Sequence, residues 1–107
     1  MDLHIKKWDD DVVQKRIDTL KAHIEKYKKA LEETPEWSLN YTQYHEGIRE
    51  MAVEIDIYEA TLRDGWDDTI YWVFQRLGTR PNNTRHDKLE AAVAHNLYHR
   101  HVVWRMS

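Results

Sequence analysis

The sequence has no cysteine, which excludes disulfides and thiolate-held metals from its stability and its chemistry. Glycine and proline are scarce, with three and two residues in a chain of 107. So few turn-formers favour a small number of long elements, and therefore helices. No run of about 18 apolar residues is present, and the opening "MDLHIKKWDDD" has no long apolar core of the kind a signal peptide carries. The expectation is a cytoplasmic protein with no membrane partner, in which the Asn-X-Thr triplets at Asn40 and Asn82 are coincidental.

Charge is abundant but unevenly placed. Residues 1–31 hold 8 Lys/Arg against 6 Asp/Glu, residues 32–68 hold 2 against 11, and residues 69–107 hold 6 against 2. The middle is therefore strongly acidic and the C-terminal part basic. Opposite blocks in one small domain attract each other, so the favoured reading is that the basic tail packs near the acidic middle. Two separate surfaces for different partners are the alternative.

Apolar spacing sets the expected architecture. Val13, Ile17, Leu20, Ile24, Tyr27 and Leu31 recur in steps of four and three, the seam of one amphipathic helix. Asp9 to Asp11 suit its positive N-terminus, and Pro35 in "TPEW" stops it. Tyr41, Tyr44, Ile48, Met51, Ile55, Tyr58 and Leu62 repeat the pattern in a second helix, with Asn40 and Gln43 as a capping pair and Gly65 as its stop. A second stripe, Val53, Ile57 and Ala60, lies on the opposite side, so this helix should be sandwiched. "GWDDTIYWVFQRLG" reads as a short third helix capped by Asp67. Thr84 with Asp87 opens a fourth, with Leu89, Val93, Leu97, Arg100 and Trp104 on its inward side. The prediction is an all-α fold in a single domain, residues 1–107. An antiparallel hairpin and two shorter helices form a three- to four-helix bundle, with helices at about 9–33, 40–64, 66–77 and 84–104.

Chemistry-bearing residues gather near the C-terminus, where His86, His95, His99 and His101 fall within sixteen residues. His95 and His99, four apart on a helix, form half of a zinc site, but no third ligand shares their face. No metal or other cofactor is therefore expected, and the histidines are assigned to a basic, partly solvated helix surface. In "RPNNTRH", Arg80 and His86 resemble the Arg-X4–6-His motif of HEPN-type ribonucleases, which are small helical bundles that often dimerise. That resemblance implies Arg80 on the scissile phosphate and His86 as general acid or base. It covers seven residues, and it departs from the family where Pro81 replaces the usual polar residue and where Arg80 falls in a loop. The Glu-X-X-Glu pairs with which MazG-type pyrophosphohydrolases hold magnesium are not matched: Glu33 and Glu36 are separated by Pro35, and Glu46, Glu50 and Glu54 stand four apart, which is read as a solvated acidic face.

Aromatic residues are the strongest remaining signal, with five Trp, six Tyr and one Phe. Some belong to the seams. Tyr71 and Trp72 sit in a helix too uniformly apolar to hide on every side, and Trp8 and Trp37 lie outside the seams. Aromatics rimmed by charge suit a protein interface. The functional expectation is a non-enzymatic protein-binding module whose partner is another protein or a second copy of the chain. Tyr71, Trp72 and Trp104 would be its apolar anchors, with Arg76, Arg80, Arg85 and Arg100 as charged contacts. By composition it is of the kind found among phage and mobile-element accessory factors that inhibit a host macromolecule. A nucleic-acid-binding protein or ribonuclease using Arg80 and His86 is the alternative.

Overall fold

Four helices account for most of the chain in the computed structural model, which describes residues 2–78 and 85–105. Helix α1 spans Asp10–Glu33 and α2 spans Leu39–Asp64. Two shorter helices follow, α3 (Trp66–Gly78) and α4 (Arg85–His101). α1 and α2 form the expected hairpin, and α2 also packs against α3 and α4.

Local chemistry explains the helix ends. Asp9 caps α1 through its backbone, its carbonyl accepting from the N–H groups of Val12 and Val13, while Asp10 and Asp11 sit in the first turn. The cap of α2 is Ser38 rather than Asn40, because the Ser38 hydroxyl accepts from the Asn40 N–H at 3.2 Å. α2 ends where expected, at Gly65. Its φ of +94° needs a residue without a Cβ, and its N–H donates to the Thr61 carbonyl. One residue then separates α2 from α3, so Asp67 lies in the first turn of α3 rather than at its cap. Thr84, the expected cap of the fourth helix, lies outside the described residues.

The fourth helix stops three residues before its expected end. Val102–Arg105 form strand β2, which pairs antiparallel with a strand absent from the sequence reading, β1 at Asp2–Ile5. Trp104 therefore stands in a strand, opposite Leu3. Both Val102 and Val103 are β-branched, and such residues favour strand once a partner is available. Here that partner lies about a hundred residues away in the chain.

The core sits at one end of the hairpin. It joins Val13, Ile17 and Leu20 of α1, Ile55, Ile57 and Tyr58 of α2, Trp66 and Val73 of α3, and Val93, Ala94 and Leu97 of α4. Ile55 and Tyr58 come from one stripe of α2 and Ile57 from the other, so this helix is sandwiched as expected. Each such side chain contributes on the order of 1.5–3 kcal/mol when fully buried. Toward the interhelical turn, no third layer covers the hairpin among the described residues. Ile24 and Met51 are half-buried there, and Tyr27 lies partly exposed against Tyr44, with ring centroids 5.3 Å apart. Gly47 makes room for that ring, since a Cβ at this position would meet Tyr27 at 2.7 Å. The hairpin tip thus projects from a base that the other elements share.

Candidate functional site

One polar network crosses the base, and His101 is its centre. The imidazole is 1% exposed. Trp8 meets it edge-on at 4.6 Å between centroids, Trp66 lies tilted at 4.7 Å and Tyr58 stands edge-on at 5.8 Å. Its Nδ1 is 3.0 Å from the Lys6 carbonyl, which can only accept, so Nδ1 carries the proton. Nε2 is then free to accept from the Tyr58 hydroxyl at 2.9 Å. The Tyr58 oxygen in turn accepts from Arg100 Nη1 at 3.0 Å. With the imidazole neutral, each proton in this chain has one place, and the Tyr58 phenol is neutral as well. Burial, the largest influence on each, pushes the imidazole below its ordinary range and the phenol above its own.

Glu54 closes the network. Its carboxylate is buried at 8% exposure and accepts from Arg16 at 3.0 Å and Arg100 at 2.8 Å. Burial of Arg100 disfavours its charge, but the hydrogen bonds to Glu54 and Tyr58 outweigh this and raise its pKa. Glu54 therefore does not belong to a solvated acidic row with Glu46 and Glu50. The pairing of Arg100 with Glu54 favours the intramolecular reading of the charge blocks, in which the basic tail packs against the acidic middle.

This cluster joins α1, α2, α4 and the segment before α1. The Lys6 N–H donates to the His101 carbonyl at 2.7 Å, and the Trp66 indole donates to the Trp8 carbonyl at 3.1 Å. The sequence pattern assigns His101 to a basic, partly solvated helix surface, whereas the fold encloses it. The signal that could have moved it inward is its spacing of four from Leu97, a seam residue of the same helix.

His95 and His99 are exposed, as expected, with rings in edge contact at 4.3 Å. Among the described residues, no group of three or more His, Asp or Glu side chains is placed to hold a metal ion. Acidic groups do line a cleft of about 440 Å³ between α2 and α3, formed by Asp56, Glu59, Asp64 and Asp68 with Arg63. Arg63 is engaged with its neighbour Asp64 at 3.0 Å. Among the described residues, no helix is long and apolar enough to cross a membrane.

Of the expected contact residues, Tyr71 stands 65% exposed on α3. Arg100 is turned to Glu54 and Tyr58. Trp72, Arg76, Arg85 and His86 lie on helical backbone and Trp104 on β2, but their side chains lie outside the described residues, as does Arg80 altogether.

Among the described residues, the large apolar side chains with the highest fractional exposure lie at the hairpin tip, where Trp37 is 87% exposed and Leu39 72%. A hydrogen-bonded turn presents them. The Thr34 N–H donates to the Leu31 carbonyl, the Thr34 hydroxyl donates to the Ala30 carbonyl at 2.6 Å, and the Ser38 N–H donates to the Pro35 carbonyl at 3.0 Å. Ser38 then caps α2, so the indole sits in a closed turn between two fixed helix ends. On the first turns of α2, Tyr41, Thr42, His45, Glu46 and Arg49 line a hollow of about 180 Å³, the size of one side chain. Glu32, Glu33 and Glu36 are exposed around the same end. Sequence reasoning noted Trp37 as lying outside the seams but missed Leu39.

No family model matches the chain, and neither a curated protein nor a solved structure does.

Proposed function

We propose that this chain is a protein-binding module whose principal contact is the tip of its helical hairpin. The observation that carries this reading is the exposure of Trp37 and Leu39, two positions apart where a hydrogen-bonded turn enters α2. Indole and leucyl surface left in water at a protruding, preordered point gives an anchor that loses little conformational freedom on binding. The glutamates around it call for a partner with an apolar pocket edged by lysine or arginine. Tyr71 supplies a second apolar contact on α3, the helix that follows the far end of α2. An accessory factor that occupies a site on a larger host macromolecule is the biological role that suits such a shape.

The test is affinity capture with the wild type, a Trp37→Ala/Leu39→Ala variant and Tyr71→Ala, each with and without nuclease. A stoichiometric protein retained by the wild type through nuclease treatment and lost with the tip variant supports the proposal. Capture indifferent to all these substitutions removes it. Recovery of nucleic acid alone transfers the function to the Arg80 and His86 reading.

A further inference from the structure

The described part of the sheet contains two strands, β1 and β2, so each strand has one side paired and one side turned away. Backbone alternation shows which groups are involved. The Lys6 N–H bonds the His101 carbonyl, and the register pairs His4 with Val103 and Asp2 with Arg105. In an antiparallel ladder the hydrogen-bonded positions alternate, so residues 2, 4 and 6 face β2. The N–H and C=O groups of Leu3 and Ile5 then face away. A shallow groove of about 720 Å³ lies against this strand, lined by His4, Ile5, Lys6, Lys7 and Asp67. That is room for an extended segment of about four residues, the length of β1 itself.

We propose that the outer edge of β1 pairs antiparallel with the same edge of a second copy of this chain, making a four-stranded sheet across a two-fold axis. The register argues for self-pairing. With His4 opposite His4 of the partner subunit, Leu3 and Ile5 fall opposite Ile5 and Leu3 of the partner subunit, so all four outward groups on each strand are satisfied. The same register sets Asp2 opposite Lys6 of the partner subunit, twice by symmetry. Shifting it by one residue on each strand loses this: His4 then meets Lys6 of the partner subunit, or Asp2 meets His4. The outer edge of β2 has no such complement, since Arg105 is its one charged residue. A two-stranded sheet is marginal alone and gains from added strands, and pairing removes two open edges from water. The contact is short, so the dimer belongs to the weak class, with Kd on the order of 10–1,000 µM. This dimer does not depend on the hairpin tip or on what the tip binds.

Sedimentation velocity on the untagged full chain from about 10 µM to 1 mM tests it. The wild type should shift from monomer to dimer over this range. Leu3→Pro removes one outward N–H and leaves the bonds to β2 in place, so it should remain monomeric with unchanged circular dichroism. Lys6→Glu places like charges opposite each other twice and should weaken association by roughly tenfold or more. Asp2→Lys combined with Lys6→Glu should restore it. A chain that stays monomeric at 1 mM overturns the proposal. So does a dimer that ignores both Leu3→Pro and Lys6→Glu, and loss of that dimer on Trp37→Ala or Tyr71→Ala would place the contact on an aromatic surface instead.

Discussion

His101 and Trp37 are both large rings set outside the first helix seam, and the fold treats them oppositely. His101 is enclosed by Trp8, Trp66 and Tyr58 and held neutral by a donor on one side and an acceptor on the other. Its folded pKa lies below the unfolded value of about 6.5. The folded protein therefore binds fewer protons than the unfolded chain once pH falls below that value. Its contribution to stability is complete above about pH 7 and is lost as pH drops through 6.5 toward the folded pKa. Melting at pH 7.5 and 5.5 should show a loss at the lower pH that is smaller in His101→Phe, where that titration is absent. At pH 7.5 the same variant should be less stable by about 2–3 kcal/mol, because the Tyr58 hydroxyl loses its acceptor and the Lys6 carbonyl its donor. Trp37 predicts the reverse. Trp37→Ala should change stability by no more than about 0.5 kcal/mol, whereas Trp66→Ala should cost about 3–5 kcal/mol because Trp66 belongs to the core. Urea titrations of the two variants make the comparison, and equal losses would show that Trp37 is packed.

At the scale of elements, the hairpin was readable because its information is local. Val13, Ile17 and Leu20 repeat at the helical period, and the buried residues of α1 are these three. Gly65 was readable for the same reason, as a residue that ends a helix through its own backbone freedom. The strands were not readable. "DLHI" and "VVWR" are four residues each and become strands through pairing with each other, which local periodicity does not register. The role of Glu54 was hidden in the same way. Its spacing from Glu46 and Glu50 suggests an acidic face, while its partners Arg16 and Arg100 lie 38 and 46 positions away. Glu54→Gln leaves two guanidinium groups facing a neutral amide. Both arginines are partly open to water, which screens their charge, so the expected cost is about 2 kcal/mol rather than the ~3–5 of a fully buried pair. The urea midpoint measures this, and a loss below about 0.5 kcal/mol would mean that the network does not tie the elements together.

The whole molecule measures 53 × 34 × 23 Å, and its stability is distributed along the long direction. The base gathers all four helices and the sheet, whereas among the described residues the tip has two helices, with Tyr41 and Tyr44 half-buried and Tyr27 partly exposed. Amide hydrogen exchange should follow this division. Amides near residues 14–20 and 55–61 should exchange only through global unfolding. Those near 26–33 and 40–47 should exchange faster, through local opening of the tip. Uniform protection along both helices would contradict a two-layer tip. By itself, the sequence determined the helical class, the hairpin and its turn, the sandwiching of α2 and the absence of cysteine chemistry, because each follows from composition or from spacing within one element. Tertiary structure alone decided that His101 is enclosed, that Glu54 is paired, that the chain's two ends form a sheet, and that Trp37 with Leu39 stands in water. Those outcomes depend on which elements meet, and the contacts that settle them join residues tens of positions apart.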